Sequence, residues 1–156
     1  MQVLAEPADP TGRAGGLPGL RLAVSAPSGT IVVYALHVPK PGFDPDHGQS
    51  FAADSRRIGA IRDAAALEVW PVVVAGDLNL TDRSPDYLFL RQQLQDTARY
   101  GWAGPTSAKA SLLWRALLLR IDYILTRGLC SGHGHSFRIP GSDHRGVSTE
   151  VGPCQS

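Results

Sequence analysis

Six polar residues stand beside short apolar runs in this sequence. His37 follows Ile31-Val32-Val33-Tyr34-Ala35-Leu36, and Asp77 and Asn79 follow Val72-Val73-Val74-Ala75-Gly76. Asp122 lies within the alternating run from Leu119 to Leu125, and Asp143-His144 come just before Arg145-Gly146-Val147. Side chains two apart in an extended segment share a face, so Asp77 and Asn79 would project together while Leu78 and Leu80 turn into apolar packing. A carboxylate and an amide so placed can fix a water nucleophile and contact a phosphoryl oxygen. His144 has a reference pKa of about 6.5 and can act as base or acid. A carboxylate on its second ring nitrogen would fix tautomer and orientation, and Asp122 is the candidate. Asp143 and His144 are adjacent, so to serve one site they need a non-strand backbone, which Gly141-Ser142 can supply. Two histidines, an amide and several aspartates at strand ends are the inventory for metal-assisted phosphoester hydrolysis. The sequence offers no serine elbow, Walker loop, zinc-finger spacing or dinucleotide glycine motif in competition.

Each residue also has an ordinary reading. Gly, Asp and Asn are turn formers, so Gly76-Asp77-Leu78-Asn79 can be only a turn. Asp122 can be a solvated strand residue paired with Arg120 or Arg145, and His37 a satisfied histidine at a strand edge. His133 and His135 flank glycines in a loop and are poor metal-site candidates. Trp70, Trp102 and Trp114 read as packing residues. Arg56, Arg57, Arg62, Arg138 and Arg145 can form a phosphate-binding surface or a solvated one.

The elements that must position these residues follow from patterning. Leu20, Leu22 and Val24 alternate with polar or small residues as in a half-buried strand. Pro27-Ser28-Gly29 then turns the chain into Ile31–Leu36, making a hairpin. A loop over 39–48 leads to a helix from Ser50, with Phe51, Ile58, Ile61 and Ala65 on one face. Pro71 to Ala75 reads as a buried central strand. Ser84-Pro85-Asp86 is an N-cap, first-turn proline and favourable acid for a helix running to about Gln95. Residues 97–118 are ambiguous, since Gly101, Gly104 and Pro105 break the first part and Leu112 to Leu119 could be helix or strand, and a long irregular stretch inside a compact domain is often a functional loop. Leu119–Leu125 alternates as a strand, Ser131–His135 reads as a loop, and Phe137–Ile139 and Val147–Val151 as final short strands. Residues 1–19 read as an irregular leader and 20–152 as one domain, without repeat or linker. The mixture gives an α+β layered fold.

Composition bounds the rest. The chain has 156 residues, 43% apolar, enough for one core. Lys plus Arg is 15 against 14 Asp plus Glu, a net charge of +1, which argues against binding nucleic acid by bulk charge. Cys130 and Cys154 can make one bridge or none, which leaves the redox compartment open. No apolar run approaches the ~20 residues of a membrane helix, and Met1–Gly19 has no signal-peptide pattern. Compartment stays undetermined.

VVVAGDLNL (72–80), RIDYIL (120–125), GSDHRGV (141–147) and YALHVPKP (34–41) resemble, in order and spacing, four motifs of the endonuclease/exonuclease/phosphatase superfamily. The resemblance covers roughly residues 20–152. It implies part of a four-layer sandwich, two mostly antiparallel sheets face to face with helices outside. It implies phosphoester hydrolysis with Mg²⁺ or Mn²⁺. Carried over by position, Asp77 orients or deprotonates water and Asn79 steadies the phosphoryl group. Asp122 pairs with a catalytic histidine or lies near metal, and His144 contacts phosphate or acts as acid or base. His37 donates to phosphate or to the leaving group, and Asp77, Asn79 and Asp143 are the metal-side residues. The substrate class left open is a small phosphoester, a phospholipid or lipid-linked phosphate, or nucleic acid, with no obligate protein partner evident. Some bacterial relatives in wording are membrane-anchored.

The sequence departs from the family at its start. Complete family domains run to roughly 200–250 residues and begin with an Asn-bearing strand followed by a metal-binding Glu. Glu6 is the one acid near that place, in a different context. The chain therefore resembles the C-terminal two-thirds of the domain. Two other functions remain in view: an impaired remnant lacking the Glu, distinguished by weak metal binding, and a module that binds phosphate without hydrolysis.

Overall fold

The structure is a computed structural model and describes residues 2–4, 17–42, 51–98, 105–107, 119–132 and 134–154. Glu6, His133, Trp102, Trp114 and nearly all of the ambiguous 97–118 segment beyond Ala98 lie outside the described residues, Pro105–Ser107 excepted.

Alternation builds the main sheet. Strand β1 (Gln2–Leu4) pairs antiparallel with β2 (Gly19–Ala26), which forms a hairpin with β3 (Gly29–His37) across the expected turn. In β3 the residues Val32, Tyr34 and Leu36 are buried on one face while Ala35 and His37 are exposed on the other. Helix α1 (Phe51–Leu67) then returns the chain so that β4 (Val72–Asp77) lies parallel to β3. A parallel neighbour requires such a crossover. Helix α2 (Pro85–Leu90) follows, with the Ser84 side chain accepting from the Tyr87 amide as the N-cap pattern requires. β5 (Gln95–Asp96) and β6 (Asp122–Arg127) complete a six-stranded sheet in the order β1-β2-β3-β4-β6-β5, in which only β3–β4 is parallel. β7 (Cys130–Ser131) pairs with β10 (Val151–Gly152), and β8 (His135–Arg138) with β9 (Arg145–Ser148), as two small antiparallel sheets. β9 packs against β6.

The larger core joins one face of the main sheet to the helices. Val32, Tyr34, Leu36, Val72, Val74, Tyr123 and Leu125 bury against Ile58, Ile61, Ala65, Tyr87 and Leu90. At about 25 cal/mol per Å² of apolar surface, that layer is the main cohesive term. The opposite face carries a smaller cluster of Ile31, Val73 and Leu129, with Val33, Ala75 and Ile124 half-buried beside it. No helix among the described residues is long and apolar enough to cross a membrane.

The α+β architecture expected from the sequence is observed, with several local corrections. Part of the segment read as an irregular leader is regular, since Gln2–Leu4 is a strand and Leu17 is buried. Phe51 is 66% exposed, and it is Asp54, paired with Arg57 at 2.7 Å, that joins Ile58, Ile61 and Ala65 on the buried face. Helix α2 stops at Leu90 instead of about Gln95, because Asp96 is drawn into a buried bond network and Gln95–Asp96 pairs with β6. Strand β6 starts at Asp122, three residues later than the alternation suggests. The final strand is split at Thr149-Glu150, and residues 131–135 carry ends of β7 and β8 rather than one loop. Trp70 is 45% exposed. Cys130 and Cys154 form a disulfide that ties β7 to the end of the described chain.

Candidate active site

Register brings the site together. β3 and β4 are parallel, so His37 and Asp77 fall at the same end and are paired positions. β6 is antiparallel to β4, so its first residue, Asp122, lies directly opposite Asp77. His37, Asp77 and Asp122 therefore form one row across three strands. They continue the face that carries Val33, Ala75 and Ile124, away from the helices. His144 reaches this row from the turn that precedes β9. Its Nδ1 lies 3.0 and 3.2 Å from the two carboxylate oxygens of Asp122. A carboxylate only accepts, so Nδ1–H donates, and in the neutral imidazole Nε2 then carries the lone pair. His144 Nε2 is 3.9 Å from Asp77 Oδ2, and His37 Nε2 is 3.8 Å from the same oxygen. Asp77, Asp122 and His144 side chains are 14–24% exposed, whereas His37 is 78% exposed.

Asp77 and Asn79 meet by a different route from the extended one expected. Asn79 has φ +50°, and Asp77 Oδ1 accepts its amide at 2.9 Å. This is an Asx-type turn, to which Asn is suited, so the turn reading describes the backbone here, and Asp77 meets the Asn79 backbone amide, not its side chain. The Asn79 side chain, 9% exposed as a residue, donates from Nδ2 to the Val38 carbonyl at 2.8 Å. Gly76 is required just before it: φ is +137°, and a Cβ there would stand 1.9 Å from the Leu36 carbonyl oxygen. Asp143 is exposed and outside the group formed by Asp77, Asp122 and His144, although it adjoins His144 in sequence.

Burial pushes the Asp77 carboxyl above the ordinary range. The Asn79 amide opposes that shift, the nearby Asp122 charge adds to it, and the two imidazoles oppose it. Ionised Asp77 and Asp122 thus repel across the ladder, as like charges in directly opposed positions do. One ligand atom each from Asp77, Asp122 and His144 lie within 4.8 Å of one another. Two carboxylates and an imidazole are an oxygen-rich set that suits a hard divalent cation.

Thr106 is a residue that sequence patterning missed. It is fully buried, and its Oγ1 accepts the amides of Ile121 and Asp122 at 2.9 and 3.0 Å. Its carbonyl accepts the Arg145 amide at 2.7 Å, and Ser107 bridges to His144. One buried residue therefore fastens both halves of the Asp122–His144 pair. Lone threonines in an aperiodic stretch give no pattern signal. Arg120 adds a second anchor: it binds buried Asp96, which also accepts from Tyr87 and the Ala98 amide. Of the two arginines named as partners for Asp122, Arg120 is thus committed elsewhere.

The arginines divide. Arg57 pairs with Asp54, and Arg62 pairs with Asp63 and lies over the Phe89 ring, all on the helix side. Arg138 and Arg145 flank a groove of about 320 Å³ beside His144. His135 contacts Ser148 Oγ at 3.0 Å and belongs to no metal-type cluster among the described residues.

The model of the Endonuclease/Exonuclease/phosphatase family matches residues 5–144. No curated protein matches the chain. Among solved structures, an endonuclease/exonuclease/phosphatase from Beutenbergia cavernae is 26% identical with a TM-score of 0.64, covering 84% of this chain and 38% of its own. The Xenopus laevis APE2 catalytic domain is 17% identical, TM-score 0.55, with 87% and 55% covered. A Bacteroides thetaiotaomicron mannosyl-6-phosphatase is 15% identical, TM-score 0.54, with 78% and 51% covered. At such identities the likeness shows the fold, and the chain spans about half the length of the solved structures it matches.

Proposed function

The chain belongs to the endonuclease/exonuclease/phosphatase family, and from that premise we propose that it hydrolyses a phosphoester with Mg²⁺ or Mn²⁺ at the Asp77–Asp122–His144 cluster. The observation that carries this reading is the direct opposition of Asp77 and Asp122 with His144 closing the third side. The Asp77 and Asp122 carboxylates would hold a divalent ion, which would supply charge neutralisation at the phosphoryl oxygens.

The chain's own groups supply the remaining steps. Asp77 Oδ1 is held by the Asn79 amide, which leaves Oδ2 facing both imidazoles at 3.8–3.9 Å. That is too long for a direct hydrogen bond and suited to a bridging water. Asp77 orients the water, and His144 Nε2 takes its proton. Asp122 fixes the Nδ1–H tautomer and stabilises the resulting imidazolium. His37, exposed at the rim, donates to a phosphoryl oxygen or to the leaving group. The similarity to a mannosyl-6-phosphatase supports the phosphoester class, not one substrate within it.

The test is hydrolysis of bis(p-nitrophenyl) phosphate with Mg²⁺ or Mn²⁺. Metal-dependent turnover that falls about 10²–10⁴-fold in Asp77→Ala and His144→Ala is expected. A second reading, phosphate binding without turnover, rests on the three donor side chains gathered among the described residues, which leave water to supply the rest of a hard cation's oxygens. Phosphate binding by protein that never turns over would select it.

A further inference from the structure

We propose that the groove beside His144 is a subsite for a second phosphate of the substrate, one not cleaved, gripped between Arg138 and Arg145. The inference rests on the hydrolase reading and narrows it to phosphoesters that carry a further phosphate. Arg138 and Arg145 are directly paired positions on β8 and β9. Like charges so opposed destabilise a ladder, and an anion between them removes the penalty. Neither guanidinium forms an ion pair with a carboxylate among the described residues; Arg56, Arg83, Arg91 and Arg127 share that state, and what sets this pair apart is its register and its place on the groove wall beside His144. The planar guanidinium matches phosphate geometry.

Position ties this pair to the chemistry. The groove is lined by Arg138, Ile139, Ser142, His144 and Arg145, so His144 belongs both to it and to the cluster with Asp77 and Asp122. The Ser142 hydroxyl oxygen accepts the His144 amide at 3.0 Å, which leaves its proton free to donate into the groove. Within the hairpin the Phe137 ring covers Gly146, where a Cβ would stand 2.3 Å from the ring. A phosphate between the arginines thus neighbours a phosphorus attacked at Asp77 and His144. The arrangement repeats the logic of the acidic row, where two opposed carboxylates call for a cation.

The matched substrates are thymidine 5′-(p-nitrophenyl phosphate) with and without a 3′-phosphate. Wild type should prefer the 3′-phosphorylated ester in kcat/KM, and Arg138→Gln should reduce that preference about tenfold, chiefly through KM, with Arg138→Lys retaining part of it. Loss of both activities in step, or no preference in wild type, overturns the subsite. A second measurement is independent of turnover: arginine Nε–H resonances followed by NMR during titration with inorganic pyrophosphate. Shifts at Arg138 and Arg145, lost in Arg138→Gln, support the subsite even if neither ester is hydrolysed, in which case the hydrolase reading alone fails. No shift in wild type overturns the proposal.

Discussion

Asp77 and Asp122 face each other across the β4–β6 ladder, and His144 donates to Asp122 while its other nitrogen stands 3.9 Å from Asp77. Three side chains distant in sequence, two on strands and one on a turn, thereby share one small volume. The arrangement is electrostatically unfavourable by itself, and its expected consequences follow from that.

Asp77→Asn should stabilise the metal-free protein while removing turnover. Burial and Asp122 raise the folded-state pKa of Asp77 above its unfolded value. For a raised carboxyl, the stabilising contribution is complete below the unfolded pKa, about 3.9, and is lost as pH rises through the folded value. Near pH 7 the ionised group is therefore a cost. In chelator, the variant should melt higher, by roughly 2–4 °C for each kcal/mol relieved. The difference should vanish once pH falls below the unfolded value. A lower melting temperature at neutral pH would contradict the account.

Thr106→Val should separate positioning from packing. The change keeps the volume but removes the acceptor of the Ile121 and Asp122 amides. Two buried donors without a partner cost roughly 1–3 kcal/mol each. Amide exchange at Ile121 and Asp122 should quicken, and kcat should fall more than KM rises. Thr106→Ser keeps the hydroxyl and should restore both. A serine variant as impaired as the valine one would show that the methyl group, not the oxygen, matters.

Asp96→Asn should make the fold fragile. Burial acts to raise this carboxyl, but the bonds from Arg120, Tyr87 and the Ala98 amide outweigh it and hold it low. A depressed carboxyl contributes stability above its unfolded pKa and loses it as pH falls through the folded value. Breaking the buried pair should cost about 3–5 kcal/mol in urea unfolding at neutral pH, with wild type losing that margin under acid. A variant as stable as wild type near pH 7 would rule this out.

The strands that carry His37 and Asp77 were legible because β-branched runs ending in Gly or His leave few alternatives. Helix α1 and the Ser84 cap were legible for similar local reasons. What patterning lacks is register. Nothing in RIDYIL says that β6 runs antiparallel to β4 with Asp122 opposite Asp77, or that Asp122 opens the strand. The Asp77–Asn79 spacing pointed to one location, but a left-handed Asn79 achieves it rather than extended alternation. Thr106 was invisible because its role lies in four hydrogen bonds to segments remote in sequence, and no periodicity marks such a residue. The bridge between Cys130 and Cys154 depends on the pairing of β7 with β10, which two-residue strands do not announce.

The most direct test of the site is Mn²⁺ titration followed by paramagnetic broadening of backbone amide signals. Broadening should reach Asp77, Asp122 and His144 first, then His37, and spare Arg62 and Phe89 on the helix side. It should disappear in an Asp77→Asn, Asp122→Asn double variant. Broadening centred elsewhere, or surviving intact in that variant, would show that these side chains do not form the metal-assisted hydrolytic centre.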